Sequence, residues 1–305
     1  MTAGIIAIAF VVYVAALVLA VRRWQLPDVG WREAALLLIA VAFEIMAKFV
    51  FAELFRAGSI RAGHPVSRSG AIKAALTGSA VARVIPAGGT LTPTTMAWAV
   101  RSEDDKMAGV ALRVTLLTYG GLLAMTGGAV LWGTSTGRHP LLFAGEVAVG
   151  ILLILGGIFI FAGSPWLDRI VDRFPRLIRA HFAATASGGR LLTREVGLVV
   201  ARIAGEAGVL WGSLQALGIH LTPSEALVTY GISAILGGLP ALPGGLVLVE
   251  GGLIGILTAY GFGAGAVIAP VLIYRVIDYW IPAGVGLATW ALIAGNRTRA
   301  ATPRE

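Results

Sequence analysis

The sequence predicts an all-α, polytopic membrane protein, built as two inverted span–hairpin–span repeats with re-entrant helical hairpins. Three observations carry that prediction. The 305-residue chain is 57% hydrophobic and 13% charged, with a mean hydropathy of +0.84, whereas a soluble domain carries about 25% charged residues. Apolar windows of about 20 residues, the length that crosses a bilayer as a helix, recur along the chain. Two longer apolar regions are each cut by a Pro/Gly break, at Ala82-Arg83-Val84-Ile85-Pro86-Ala87-Gly88-Gly89 and Gly238-Leu239-Pro240-Ala241-Leu242-Pro243-Gly244-Gly245. Backbone broken within a membrane needs protein or water around it, and a matched pair of such breaks points to a transporter's substrate site.

The elements follow in order. The window at 3–21 has no basic stretch before it, and Arg22-Arg23-Trp24 follows it instead of a small-residue cleavage site. It reads as a retained span, so residues 1–32 are a first span and its loop. Residues 33–132 are the first repeat, with spans at 33–55 and 107–132 around a hairpin at 70–100. Residues 133–194 link the repeats through a span at 141–163 and an interfacial helix at 165–182. That helix sets Trp166, Leu167, Ile170, Val171, Phe174, Leu177 and Ile178 on one face, and Asp168, Arg169, Asp172, Arg173, Arg176 and Arg179 on the other. Pro175 kinks or divides it. Residues 195–292 are the second repeat, with spans at 195–217 and 265–292 around a hairpin at 222–262. Residues 293–305 form a tail. No stretch suits a separate soluble domain, so residues 1–305 read as one integral membrane domain.

Charge sets the orientation. With both hairpins re-entrant and the N-terminus inside, the basic residues flanking the first hairpin, those from Arg169 to Arg194 and those from Arg297 onward are cytoplasmic. Arg22, Arg23, Arg32 and Arg138 remain outside, in keeping with the positive-inside bias. The first hairpin then enters from the cytoplasm and the second from the opposite side, as in alternating access around a midplane site. Glu44 and Lys48 are spaced i,i+4 in the first span of one repeat; Arg202 and Glu206 repeat the spacing with signs reversed in the other.

Composition excludes several chemistries. There is no cysteine, hence no disulfide, iron–sulfur cluster or thiolate catalysis. His64, His139, His181 and His220 have no metal-ligand spacing, and no metal or cofactor is expected. The net charge of +8 suits membrane topology and anionic lipid headgroups; nucleic-acid binding would need a basic soluble module.

Charges in hydrocarbon cost about 2.5–3.5 kcal/mol each, yet Glu44, Lys48, Arg83, Arg113, Arg202, Glu206, Glu250, Arg275 and Asp278 fall in or near the spans and hairpins. Arg83, near the first break, reads either as a headgroup clamp, through bidentate binding of phosphate, or as a structural partner of an acid or of loose carbonyls. Glu250 pairs with Arg275 or Arg83, couples protons or meets a cationic headgroup. Arg275 and Asp278 have the i,i+3 spacing of an intrahelical pair. Thr90, Thr92, Thr94 and Thr95 cap a half-helix or line a polar path. Gly88-Gly89 and Gly244-Gly245 offer half-helix amides to an anion. More arginine than carboxylate near the midplane favours an anionic substrate. Glu44, Lys48, Arg113, Arg202, Glu206 and Asp278 stand as proton-coupling or structural charges.

The stretch from Gly238 to Glu250 resembles the LP-x-x-PGG-x-G-x-x-E pattern of the lysylphosphatidylglycerol synthase transmembrane (flippase) family, with Leu248 where members often carry glycine. Tyr274-Arg275 through Tyr279-Trp280-Ile281-Pro282 resembles that family's arginine and aromatic-proline element. Arg83 to Gly89 looks like its N-terminal counterpart. The likeness covers about residues 30–295. Bifunctional members carry a soluble aminoacyl-transferase domain after the membrane part, and this sequence ends at Glu305 after its last span. The resemblance therefore implies the stand-alone form and lipid translocation.

The expected function is an inner-membrane lipid transporter or flippase, not an enzyme, with its C-terminus cytoplasmic. Its substrate would be an anionic lipid, glycolipid or polyprenyl-linked lipid, bound by Arg83, Pro86, Gly88, Gly89, Pro243, Gly244, Gly245, Glu250 and Arg275, and a lipid-synthesis enzyme is a candidate partner. The rivals are an intramembrane glycosyl- or acyl-transferase and a non-catalytic subunit of a lipid or envelope synthesis complex.

Overall fold

The computed structural model describes residues 30–85, 88–100, 105–135, 143–162, 193–238, 245 and 247–301, together with positions 15, 18 and 19. The expected span at 3–21 and the amphipathic helix at 165–182 lie outside the described residues. Every regular element described is helical: α1 (Trp31–Arg61), α2 (Arg68–Val84), α3 (Gly88–Ala99), α4 (Asp105–Ser135), α5 (Phe143–Ala162), α6 (Thr193–Ala216), α7 (Pro223–Gly237), α8 (Leu248–Ala259), α9 (Ala264–Arg275) and α10 (Ile281–Ala301). A π-helical turn, Val276–Trp280, joins α9 to α10. Among the described residues, four stretches are long and apolar enough to cross a membrane: Trp31–Arg61, Met107–Gly133, Thr193–Ala216 and Ala264–Arg297. The chain is an all-α, polytopic membrane protein.

The central contact is α1 against α6. On α1 the buried residues Ala40, Glu44, Ala47 and Phe51 recur every three or four positions, so they share one face. Leu38, Ile39, Ile45 and Phe49 are exposed. The buried face meets glycines on α6. A Cβ on Gly205 would lie 3.1 Å from Met46 Cε and 3.3 Å from Ala47 Cβ; one on Gly212 would lie 3.3 Å from Ala40 Cβ. Small residues let membrane helices approach this closely. Ala40 lies against Gly212, Ala47 against Gly205 and Arg61 against Glu195, so the two helices run antiparallel.

Each expected hairpin region is a pair of packed helices separated by its break. Ser67 caps α2, accepting the Gly70 N–H at 3.1 Å. Ile85, the residue before Pro86, is extended at φ −99°, ψ 135°, as a residue preceding proline must be; α3 packs back on α2. Thr222 and Glu225 form a reciprocal capping box at the start of α7, with N–H···O distances of 3.3 and 2.7 Å. α8 then packs back on α7. Across the break, a Cβ on Gly245 would lie 2.5 Å from Gly237 Cα, an approach that needs glycine.

The packing partners correspond between the two halves. α1 packs on α2 and α6 on α7; α3 packs on α4 and α8 on α9. The halves also exchange contacts, α4 lying on α7 and α10 on α2. α5 packs on α4 through glycines, with Gly127 and Gly157 facing the Gly150 and Gly120 carbonyls.

The last span, expected as one regular helix, carries the π turn. Its cause is local: Pro282 has no N–H to give the Asp278 carbonyl four residues back, and the Ile281 N–H reaches Val276 O, five residues back.

Close α4–α5 packing is testable. The Gly157→Ala methyl group would sit 2.6 Å from Gly120 O; thermal unfolding in detergent should show a loss of about 1–3 kcal/mol. Gly255, whose Cβ would meet nothing within 4 Å, should tolerate alanine or gain up to about 1 kcal/mol.

Candidate functional site

Two charge groups lie where the helices converge, and both reach helices that flank the breaks. In the first, Glu44 and Lys48 of α1 pair at 2.8 Å, and Lys48 reaches Glu206 of α6 at 3.6 Å. Arg202 contacts Glu206 at 3.4 Å through both Nε and Nη2. It also donates to Thr118 Oγ1 of α4 at 3.1 Å, and its guanidinium lies 3.9 Å over the Phe51 ring. Tyr230 of α7 donates its hydroxyl to Glu206. Glu206 thus ties together α1, α6 and α7, and Arg202 adds α4.

The second group centres on Arg275, 3% exposed. Its Nε donates to Glu250 Oε1 of α8 at 2.7 Å and its Nη1 to Asp278 Oδ2 of the π turn at 2.9 Å. Its guanidinium stacks 4.6 Å over the Tyr279 ring. The other Glu250 oxygen accepts the Val247 N–H at 2.6 Å, satisfying an amide that opens α8. One carboxylate therefore fixes a helix start and anchors the arginine.

Arg83, in the last turn of α2, bridges the first hairpin to this group. Nη2 donates to the Asp278 carbonyl at 2.9 Å, and Nη1 to the Ser79 carbonyl at 3.2 Å. The Asp278 carboxylate is farther, at 3.9 Å. The Tyr279 hydroxyl donates back to Arg83 O at 2.6 Å. The acceptor of Arg83 is the carbonyl that Pro282 leaves unpaired, so the proline, the π turn and the arginine form one arrangement.

The structure therefore places Arg83, Glu250, Arg275 and Asp278 together, and Glu44, Lys48, Arg202 and Glu206 together. Both α1 and α6 pack on the π turn between the groups. The expected excess of arginine is not found here: four cations face four carboxylates. The reason is spacing in three dimensions, since Arg113 lies apart, pairing with Glu195 at 3.7 Å beside Arg61 at 3.1 Å. Gly88 and Gly89 open α3, and a Cβ on Gly89 would meet open space. Pro86, Pro243 and Gly244 lie outside the described residues. Thr92 reaches the Gly78 carbonyl at 3.3 Å, and Thr94 and Thr95 both donate to Leu91 O.

Sequence reasoning missed two residues of this site, Tyr230 and Thr118, and Glu195, the partner of Arg61 and Arg113 outside it. A hydroxyl or acid inside an apolar window was the available signal. The motif glycine was also misplaced. Counted through Pro243-Gly244-Gly245, the pattern's next glycine falls on Val247, not Leu248. Val247 is where the backbone turns left-handed, at φ 74°, a conformation that is strained for a β-branched residue.

An all-helical bundle with paired intramembrane charges at two helix breaks defines a multi-pass membrane protein with a polar interior. Comparison with known families makes this specific. The model described as "Lysylphosphatidylglycerol synthase TM region" matches residues 3–286. The chain belongs to that family, and is a membrane protein of lipid metabolism or transport. No curated protein matches it.

Removing one member of a buried pair costs about 3–5 kcal/mol. Arg275→Met should lower thermal stability by that order, and Glu250→Gln added to it should cost less than Glu250→Gln alone; additive losses would contradict the coupling. Val247→Gly should stabilise by about 1 kcal/mol, read in the same unfolding assay, by relieving the left-handed backbone.

Proposed function

We propose that the protein is a lipid transporter that moves an anionic lipid between leaflets by alternating access around a midplane site. The observation that carries the reading is Arg83. It sits at a helix break, its side chain is 16% exposed, and its two hydrogen bonds go to backbone carbonyls. A phosphodiester would offer it a charged acceptor that it otherwise meets only at 3.9 Å, and charge-assisted bonds are about twice as strong as neutral ones.

The remaining parts fit around it. The antiparallel α1–α6 pair and the exchanged contacts of α2 with α10 and α7 with α4 support two repeats of inverted orientation with re-entrant hairpins. In this reading the backbone N–H groups of Gly88 and Gly89 at one break and of Gly245 at the other approach the headgroup. Arg275 and Glu250 hold the second break in place, while acyl or prenyl tails stay in the bilayer. Glu44, Glu206 and Glu250 are the groups for proton coupling. The protein sits in a bacterial inner membrane with its C-terminus cytoplasmic, receiving lipid from a synthesis enzyme.

The test is a leaflet-exchange assay in proteoliposomes with a labelled phosphatidylglycerol. Arg83→Gln should slow exchange about tenfold, the value of roughly 1.4 kcal/mol of lost phosphate contact, read on protein shown to be folded, since the substitution also gives up the contacts to the Ser79 and Asp278 carbonyls. Exchange at the unsubstituted rate would remove Arg83 from the path.

A further inference from the structure

A cleft of about 320 Å³ opens between α1 and α2, lined by Phe49, Ala52, Glu53 and Arg56 of α1 and Arg68, Ala71 and Ile72 of α2. It lies apart from the charge groups above. Its floor is apolar and its rim is charged. Glu53 receives two hydrogen bonds from Arg56, at 2.8 and 2.9 Å, and pairs with Arg194 of α6. Arg68, exposed in the first turn of α2, makes no ion pair among the described residues. Three guanidiniums against one carboxylate leave the rim with a net charge of +2.

Depth sets what meets that charge. α1 is 31 residues long, about 46 Å at 1.5 Å per residue, against a hydrocarbon core of about 30 Å. Its Trp31 end is 86% exposed and suits one interface. Counting about 20 residues of hydrocarbon from the first turn puts Phe49 and Ala52 in the last apolar turn, and Glu53 and Arg56 at headgroup level. The cleft thus has acyl-depth walls below and arginines at phosphate depth above. Its volume equals about ten waters, room for a glycerophosphate and its first methylenes.

We propose that this cleft is a binding site for an anionic glycerophospholipid, with the phosphate between Arg56 and Arg68 and one acyl chain along Phe49 and Ile72. Glu53 acts as a positioning residue: by gripping Arg56 from one side it turns the remaining guanidinium N–H groups toward the cleft. The site rests on the membrane placement of α1 and not on translocation, since a lipid would occupy it whether or not the protein moves lipid.

The experiment uses the full chain in nanodiscs, with photoactivatable phosphatidylglycerol or phosphatidylcholine as probe and peptide mass spectrometry as readout. Phosphatidylglycerol should label the segments 49–56 and 68–72 about tenfold more than phosphatidylcholine, as charge-assisted phosphate contacts predict for the anionic lipid. Arg56→Gln/Arg68→Gln should remove that preference, and Arg68→Gln alone, at an exposed position, should reduce it without disturbing the fold. Arg83→Gln should leave it intact, which separates this site from the proposed transport path. Equal labelling by both lipids, or an unchanged preference in the double variant, would overturn the proposal.

Discussion

A charge held inside a bilayer must meet its opposite, and this constraint organises the molecule. Lys48, Arg83, Arg202 and Arg275 come from α1, α2, α6 and α9, yet each reaches a carboxylate. Arg202–Glu206 lies within α6 and Arg275–Glu250 joins consecutive helices, but Lys48–Glu206 and Arg83–Asp278 form only when helices distant in sequence come together. Lys48–Glu206 requires the antiparallel α1–α6 pairing, and Arg275–Glu250 requires α8 to fold back toward α9. Van der Waals packing between glycine-rich faces allows a range of helix arrangements; the ion pairs select among them, because an unpaired guanidinium in hydrocarbon is far costlier than a misplaced methyl group.

The breaks and the pairs depend on each other. Pro282 removes a backbone donor, the π turn rearranges the neighbouring hydrogen bonds, and Arg83 takes up the Asp278 carbonyl. Tyr279 closes the loop by bonding the Arg83 carbonyl at the end of α2. At the other break Glu250 serves both the Val247 amide and Arg275. Irregular backbone at membrane depth is thus satisfied by side chains, from the opposite half at the first break and from the same half at the second.

Much of this was legible in one dimension. Spans at 33–55, 107–132, 195–217 and 265–292 match α1, α4, α6 and the α9–α10 rod, because a 20-residue apolar window has few alternatives to a helix. The i,i+4 spacings of Glu44 with Lys48 and Arg202 with Glu206, and the i,i+3 spacing of Arg275 with Asp278, gave pairs that form. Pairs between helices were another matter. Lys48 with Glu206 and Arg113 with Glu195 depend on which faces meet, and apolar windows carry little facial pattern when lipid covers one side and protein the other. The π turn was hidden for a related reason: Pro282 marks a disturbance but not whether a kink, a break or an extra residue answers it. The Val247 backbone was foreshadowed by the family pattern, once its letters are counted correctly.

The π turn has a geometric result for the rod that contains it. Each residue of a regular helix advances the side-chain direction by about 100°, and a π turn holds one residue more than the α-helical repeat. The turn therefore offsets the phase of α10 from that of α9, like a keyed coupling between two shafts. α9 directs its buried face, through Val267, Val271 and Tyr274, into the core shared with α6 and α8. α10 directs Gly286 onto the Leu76 carbonyl of α2. One continuous span thus addresses both halves of the molecule from two bearings, and it does so without a loop whose polar backbone would have to be sheltered from lipid.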